Sequence, residues 1–395
     1  MQPLFELAQL LRVHWQAIEQ SVSNATINSW QLRTLSALSK CRTSALGGHV
    51  DGCGSCGKLR MSYNSCRNRH CPKCQGNERE AWVQAREKEL LPVPYFHVVF
   101  TLPHELNTLC MRYPKLMYDS LFDASWDTIN TFAGDEKHLG ATTGMISILH
   151  TWGQQLTLHP HLHCIIAAGG LTKQGKWKHS KTNGNYLFPV KALSVVFRAK
   201  YMHHLRKNVV LFNAKNNTPI VLPKQLIDSC FKKQWVVYAK RPFSGVNSVV
   251  EYLGRYTHKV AISNHRITHI NNTTNSISFT YKDYKDGAKK KTLTLDAMEF
   301  VRRFNLHILP KAFVRIRHYG ILSSTSKTTS ITTIRKQLPP VKQSAKRHQT
   351  TPYNPLQCPC CKKETMMRLL NFDMRGPPSH WKQHAKLVLQ NLSEN

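Results

Sequence analysis

Three histidines alternate with apolar residues in the segment His159-Pro160-His161-Leu162-His163-Cys164-Ile165-Ile166. Successive side chains of a β-strand point to opposite faces, so His159, His161 and His163 share one face. Imidazole is the commonest metal ligand in proteins, and two imidazoles on a rigid strand leave coordination positions open for substrate oxygens. The segment therefore predicts a strand that carries a metal site, although one His-x-His motif alone is equally compatible with a run of partly exposed histidines.

Two tyrosines, Tyr252 and Tyr256, lie four residues apart in a stretch, Ser244 to Val260, whose apolar residues fit one helical face. Side chains four apart on a helix lie on the same side, one turn from each other. Core packing is the simplest explanation of such a pair taken alone. Combined with the histidine strand, the pair favours a functional role for the two hydroxyls over core packing.

Soft metal ligands are concentrated near the N-terminus, where two Cys-x-x-Cys pairs are typical of zinc knuckles. The candidate ligands are Cys41, His49, Cys53, Cys56, Cys66, His70, Cys71 and Cys74. Eight such ligands predict two closed, structural zinc sites. Spacing leaves the pairing open. The split that we favour assigns one zinc to Cys53, Cys56, Cys71 and Cys74, and the other to Cys41, His49, Cys66 and His70.

The 395-residue chain has a formal net charge of +33, and this charge predicts a polyanionic partner, by default a nucleic acid. No apolar run approaches the ~20 residues of a membrane span, and no secretion signal begins the chain. We therefore expect a cytoplasmic, nucleoid-associated protein with no membrane partner. In a reducing compartment its 12 cysteines are metal ligands or free thiols rather than disulfides.

The middle of the chain predicts the elements that must position the histidines. Tyr95 to Leu102 is a β-branched and aromatic run typical of a buried strand, and Leu106 to about Phe132 has helical periodicity. Met145 to His150 and Leu156 to Ala167 are predicted as two further strands. This order indicates an α+β fold with helices packed on one side of a sheet.

Together, these features resemble the two-tyrosine HUH transposases of rolling-circle insertion sequences, the IS91-like group, over roughly residues 1 to 325. That resemblance implies an HUH-type antiparallel sheet behind a small zinc-binding module. It implies that His161 and His163 bind Mg²⁺ or Mn²⁺ and that Tyr252 and Tyr256 are the nucleophiles, Tyr256 being the surer match. Gln154 has suitable spacing for the third metal ligand, and His159 and His97 are the other candidates.

The same resemblance implies a reaction in which single-stranded DNA, at the transposon ends and at the target, is cut and rejoined through a 5′-phosphotyrosine. Arg255, His258 and Lys259 are candidates to contact the DNA and support the attack. No P-loop pattern occurs, so no nucleotide cofactor is expected. A relaxase or rolling-circle replication initiator would use the same chemistry. A non-catalytic zinc-dependent DNA-binding regulator would explain the charge and the cysteines, but not the histidine strand or the paired tyrosines.

We expect a DNA-binding zinc domain over residues 1–92, the catalytic domain over 93–270 and a basic extension of it over 271–322. Residues 323–352 are rich in Ser, Thr, Lys and Pro and predict a flexible linker. The tail, 353–395, contains Cys358, Cys360 and Cys361, one half of a zinc knuckle. His380 and His384 could complete a site, although their spacing matches no standard zinc pattern.

Overall fold

The computed structural model describes residues 3–24, 27–74, 82–87, 89–181, 187–240, 243, 248–249, 252, 254, 259–339 and 354–393. Helices are labelled α1 (Leu7–Val13), α2 (Trp15–Ser23), α3 (Ser29–Ser39), α4 (Asn107–Arg112), α5 (Pro114–Gly134), α6 (Val190–Asn213), α7 (Lys224–Lys232), α8 (Ala297–Asn305), α9 (Lys327–Arg335) and α10 (Trp381–Ser393). Strands are labelled β1 (Gly48–Cys53), β2 (Leu59–Tyr63), β3 (Tyr95–Thr101), β4 (Thr142–Trp152), β5 (Leu158–Leu171), β6 (Trp177–His179), β7 (Val237–Lys240), β8 (Ile267–Asn271), β9 (Ser276–Asp283), β10 (Lys289–Asp296), β11 (Ile316–Gly320) and β12 (Met366–Phe372).

The central sheet contains the three strands predicted from the sequence. Its order is β11-β4-β5-β3-β7, with β6 paired to β5, and every pairing is antiparallel. Strands β4 and β5 are longer than predicted, and β11 was not predicted because Arg317 and His318 interrupt the apolar pattern of a strand. The α+β fold class is confirmed.

One face of this sheet carries the main hydrophobic core. Phe96, Val98 and Phe100 alternate along β3 and are buried in a cluster with apolar residues of α5 and α6. The helix predicted from Leu106 to Phe132 is interrupted, because Pro114 lacks a backbone N–H and begins a new helix, α5. Helices therefore cover this face and leave the histidine side chains of β5 on the other.

The opposite face is apolar over only part of its area. Ile146, Ile148 and Ile165 pack there in a cluster that includes Ile331 and Ile334 of α9. The prediction of a flexible linker over 323–352 is wrong for its first part, because α9 is folded against the sheet; residues 340–352 lie outside the described residues. The polar remainder of this face contains the histidines.

A second hydrophobic core joins the N-terminus to a distant segment. Leu10 and Leu35, from α1 and α3, are buried with Phe279 and Phe300, from β9 and α8. The three strands β10-β9-β8 form a separate sheet in this unit. Residues 271–322 were expected to extend the catalytic domain. Most of them pack against the N-terminal helices instead, and of the strands in this range only β11 joins the central sheet.

A third sheet joins the two ends of the chain in the order β12-β1-β2. Strand β12 pairs antiparallel with β1, with Cys53 opposite Met366. The tail expected to be separate is thus part of the N-terminal module. Among the described residues, no helix combines the length and the apolar character needed to cross a membrane.

Candidate active site

Three histidines from two neighbouring strands converge on the polar part of the central sheet. His150 of β4 is directly opposite His161 of β5, and His163 lies two residues further along β5. Paired residues and residues two apart on a strand share a face. One potential ligand nitrogen from each ring lies within 4.8 Å of the others, so the three imidazoles form a candidate metal site.

The rings of this cluster are held in place by their surroundings. Nδ1 of His161 lies 2.6 Å from the carbonyl oxygen of His159, which fixes that ring and directs its other nitrogen away from the carbonyl. The ring of His150 stacks on Trp152, with 4.7 Å between centroids and 21° between planes. Desolvation by burial lowers the pKa of His161 to about 4 and also lowers that of His163. All three features favour neutral, oriented imidazoles, the form that binds metals.

The hydroxyl of Tyr252 reaches the same cluster. It lies 2.8 Å from Nδ1 of His163 and 2.6 Å from Nε2 of His97, a residue of the adjacent strand β3. Desolvation lowers the pKa of His97 to about 3. Because a neutral imidazole has one ring nitrogen that accepts, the phenol has a proton acceptor within hydrogen-bonding distance.

The third metal ligand expected from the sequence does not lie in the histidine cluster. Gln154 is not brought to the pair: its side-chain oxygen accepts from the backbone N–H of Lys282 at 3.4 Å. His159 has an exposed side chain, and His97 contacts Tyr252. His150, rather than any of these three residues, lies in the cluster with His161 and His163. Its place at the end of the predicted strand Met145 to His150, next to the histidine strand, was the signal that could have identified it.

Three of the residues predicted for DNA contact or catalysis, Tyr256, Arg255 and His258, lie outside the described residues. Lys259 is described, and its charge contributes to the lowered pKa values of His161 and His163. Desolvation, and then Arg266 and Lys282, lower the pKa of Lys259 itself. A cationic side chain is therefore electrostatically coupled to the histidine cluster.

The N-terminal cysteines form one complete four-thiol cluster from Cys41, Cys66, Cys71 and Cys74. The Sγ atoms of Cys41 and Cys74 are 3.5 Å apart, and those of Cys66 and Cys74 are 3.7 Å apart. The hydrogen bond with Cys66 is the main cause of a strongly lowered pKa at Cys41, while the bond with Cys41 raises the pKa of Cys66 to about 12. Such a cluster cannot hold four thiolates without a cation, and the donor set is that of structural zinc.

A second four-thiol cluster combines Cys53 and Cys56 with Cys358 and Cys361. The zinc pairing favoured from the sequence is therefore wrong, and the C-terminal cysteines meet Cys53 and Cys56 rather than His380 and His384. Spacing could not indicate this arrangement, because the two halves are separated by most of the chain.

Two predicted zinc ligands have other roles. Nε2 of His49 lies 3.5 Å from a carboxylate oxygen of Asp51. His70 is buried, and its Nε2 accepts from the backbone N–H of Leu309 at 3.4 Å. Desolvation and then Arg69 lower the pKa of His70 to about 3, consistent with a neutral acceptor. His70 thus connects the cysteine module to the segment that follows α8.

Two family models match the chain. The one described as "Transposase zinc-binding domain" matches residues 10–102, and the one described as "Putative transposase" matches residues 144–329. The first range contains the cluster of Cys41, Cys66, Cys71 and Cys74, and the second contains His150, His161, His163 and Tyr252.

Two relatives extend this likeness over most of the chain. The "Putative transposase y4qJ" of Sinorhizobium fredii is 38% identical over 95% of this chain and 98% of its own length. The "Transposase for insertion sequence element IS801" of Pseudomonas savastanoi pv. phaseolicola is 30% identical over 74% of this chain and 70% of its own length. The chain belongs to the IS91-like transposase family.

Family membership decides between the functions left open by the sequence. This transposase has a zinc-binding N-terminal domain and a separate region that matches the transposase model, which a non-catalytic regulator would not explain. Among solved structures, the conjugative relaxase TrwC in complex with oriT DNA matches at a TM-score of 0.23 and 10% identity, over 43% of this chain and 73% of the relaxase chain.

Proposed function

We propose that this transposase cuts and rejoins single-stranded DNA through a covalent 5′-phosphotyrosine at Tyr252, in rolling-circle transposition. The observation that carries the proposal is the position of the Tyr252 hydroxyl, 2.8 Å from Nδ1 of His163, a member of the three-histidine cluster. A nucleophile beside a candidate metal site is the arrangement that phosphodiester transfer requires.

In the cleavage step, the phenolic oxygen of Tyr252 forms a bond to phosphorus, and the bond from phosphorus to the 3′-oxygen breaks. The phenolic proton passes to a neighbouring base, for which Nε2 of His97, at 2.6 Å, is the nearest acceptor. The leaving 3′-oxygen takes up a proton from the site or solvent. One phosphodiester is exchanged for another, so attack by a 3′-hydroxyl on the phosphotyrosine reverses the step and joins the strands without ATP.

The histidine cluster supports a divalent cation at this site. His150, His161 and His163 would hold it, and when bound it would act as a Lewis acid on the non-bridging phosphate oxygens. Imidazole donors favour Mn²⁺ over Mg²⁺, whereas cellular abundance favours Mg²⁺. The orientation of His161 by the His159 carbonyl supports this role, since metal-binding histidines commonly use the second ring nitrogen in this way.

Tyr256 is proposed as the second nucleophile. Two tyrosines would allow one to hold the cut donor strand while the other attacks again. Arg255, His258 and Lys259 are proposed to contact DNA near the site. The charge of +33 supports a DNA partner, because phosphate contacts by Lys and Arg supply most of the affinity.

A single assay tests the function. The full-length protein is incubated with end-labelled single-stranded DNA that contains a transposon end, in Mn²⁺ or Mg²⁺, and the products are separated under denaturing conditions. We expect a covalent protein–DNA adduct with a free 3′-hydroxyl on the released fragment. Cleaved DNA without any adduct would contradict the phosphotyrosine mechanism.

A further inference from the structure

We propose that a zinc ion bound by Cys53, Cys56, Cys358 and Cys361 locks the C-terminal segment onto the N-terminal module. The four thiols form one cluster, with 3.6 Å between the Sγ atoms of Cys53 and Cys361 and 3.6 Å between those of Cys56 and Cys358. The family model for the zinc-binding domain ends at residue 102, so it contains only half of these ligands.

The two halves of the site have the same backbone conformation. In each Cys-x-x-Cys turn, the N–H of the first cysteine donates to the carbonyl five residues later, and the N–H four residues later donates back to the first cysteine. The first turn has Cys53 N to Lys58 O at 3.0 Å and Gly57 N to Cys53 O at 2.9 Å, and the second has Cys358 N to Lys363 O at 2.8 Å and Lys362 N to Cys358 O at 3.0 Å. Two such knuckles facing each other form a four-ligand zinc site.

A left-handed residue closes both turns. Gly57 has a φ of 69° and Lys362 has a φ of 64°. A positive φ is ordinary for glycine but unfavourable for lysine, so the second knuckle adopts its turn against the intrinsic preference of its sequence. The geometry of the turn, rather than the amino acid, is shared between the two knuckles.

Backbone pairing brings the two knuckles together. Strand β12 begins directly after the second knuckle and pairs antiparallel with β1, which ends at the first. The N–H of Gly54 donates to the carbonyl of Thr365 at 2.9 Å, beyond the last paired residues. The ligands therefore lie at the end of a paired sheet, as in a zinc ribbon.

The apolar cluster around the ligands is small. In the described part of the chain, the cluster between the knuckles consists of Cys53, Cys358 and Met366, with Cys361 packed against it. Small clusters of this kind are commonly stabilised by a metal or a disulfide. None of the 12 cysteines forms a disulfide, which leaves the metal.

The consequence concerns the whole chain. Cys56 and Cys358 are 302 residues apart, and the candidate active site lies within the segment that they enclose. Zinc at this position would hold β12 and α10 on the N-terminal module, so that the segment after residue 353 becomes part of the zinc-binding domain.

Zinc content tests the site directly. Native mass spectrometry of the full-length protein is compared with that of the Cys358→Ser/Cys361→Ser double variant, and we expect the double variant to carry one zinc fewer. Cys360→Ser is the matched control, because Cys360 is exposed and outside the cluster, and it should carry the wild-type number. Cys361→His, which preserves a ligand, should also retain it. A double variant with the wild-type number of zinc ions would overturn the proposal.

A second measurement separates zinc binding from docking. A specific protease site is inserted between residues 340 and 353 of the full-length protein, which is then cleaved and passed over a sizing column. We expect the C-terminal fragment to remain bound, to dissociate when a chelator is added, and to dissociate without chelator in the double variant. A fragment that stays bound under both of the last conditions would show that zinc does not hold the segment.

Discussion

The phenolic oxygen of Tyr252 lies 2.6 Å from Nε2 of His97, while Nδ1 of His163 lies 3.0 Å from that same nitrogen. These three polar atoms form a closed triangle on the sheet face. A neutral imidazole has one N–H, so one histidine can accept the phenolic proton while the other donates within the triangle. His97 thus contacts the hydroxyl without belonging to the candidate metal cluster, and His163 belongs to that cluster and also contacts the hydroxyl.

Removing the hydroxyl of Tyr252 should change where DNA is attached. Phe preserves the ring, so Tyr252→Phe should fold, lose the adduct at position 252 and form at most the adduct at Tyr256. The Tyr252→Phe/Tyr256→Phe variant should form none. Peptide mapping of the adduct gives the site.

Tyr238→Phe on β7 is the control, since Tyr238 is 52% exposed and should not change the result. An unchanged adduct at an unchanged site in Tyr252→Phe would show that Tyr252 is not a nucleophile.

His150 should be required for metal-dependent cleavage, although it was not among the ligands predicted from the sequence. His150→Ala should weaken the metal affinity by more than the roughly 10–100-fold that loss of an outer partner costs. Single-strand DNA binding should persist, because it depends on Lys and Arg. Metal titration of cleavage and of DNA binding measures both.

His159→Ala is the matched control: its ring is exposed and its backbone carbonyl, which accepts from His161, is retained. Equal metal affinity in the two variants would remove His150 from the site.

The free energy of unfolding should decrease when the pH is lowered, and His307 should contribute to this decrease. This side chain is fully buried between Thr151 and the carbonyl of Leu156, and desolvation lowers its pKa from 6.5 to about 4. Between these values the unfolded chain binds a proton that the folded chain does not, so stability decreases as pH falls below 6.5 and the loss is complete near pH 4. At pH 5 the pKa difference corresponds to about 2 kcal/mol.

Thermal melting at pH 7.5 and pH 5.0 measures this effect. His307→Asn should be less stable than the wild type at pH 7.5 but should lose less stability on acidification. His179→Asn serves as the control for the loss of an exposed histidine and should lose as much stability on acidification as the wild type. If His307→Asn and the wild type lost the same stability between the two pH values, His307 would not contribute to the pH dependence.

The shared core of the N-terminal helices and the distant β8–β10 unit can be tested with two leucines. Leu10 is fully buried in α1, whereas Leu4, just before that helix, is 91% exposed. Leu10→Ala should destabilise the protein by about 2–5 kcal/mol, and Leu4→Ala should change it by less than about 0.5 kcal/mol. Urea denaturation followed by tryptophan fluorescence measures both, and similar midpoints for the two variants would contradict the shared core.

Local patterns predicted the central elements well. The alternation along His159, His161 and His163 indicated a strand because side-chain period 2 is a property of the extended backbone itself. The α+β class followed from the order of apolar runs, whereas the antiparallel sheet was expected only from the family resemblance. Tyr252 was proposed from its spacing and the surrounding motif. The errors at helix and linker boundaries have local causes too: Pro114 divides one predicted helix, and α9 is formed by a Ser- and Thr-rich sequence whose two buried isoleucines find a surface on the sheet.

The amino-acid sequence by itself determined which side chains could bind metal and which could attack phosphorus, because imidazole, thiol and phenol carry their chemistry wherever they are placed. Only the tertiary structure decided which of them meet. His150 joins His161 because β4 pairs with β5 in that register, and Cys53 joins Cys361 because β1 pairs with a strand from the other end of the chain. Strand pairing depends on long-range packing and backbone hydrogen bonds, and no spacing within either segment specifies the partner.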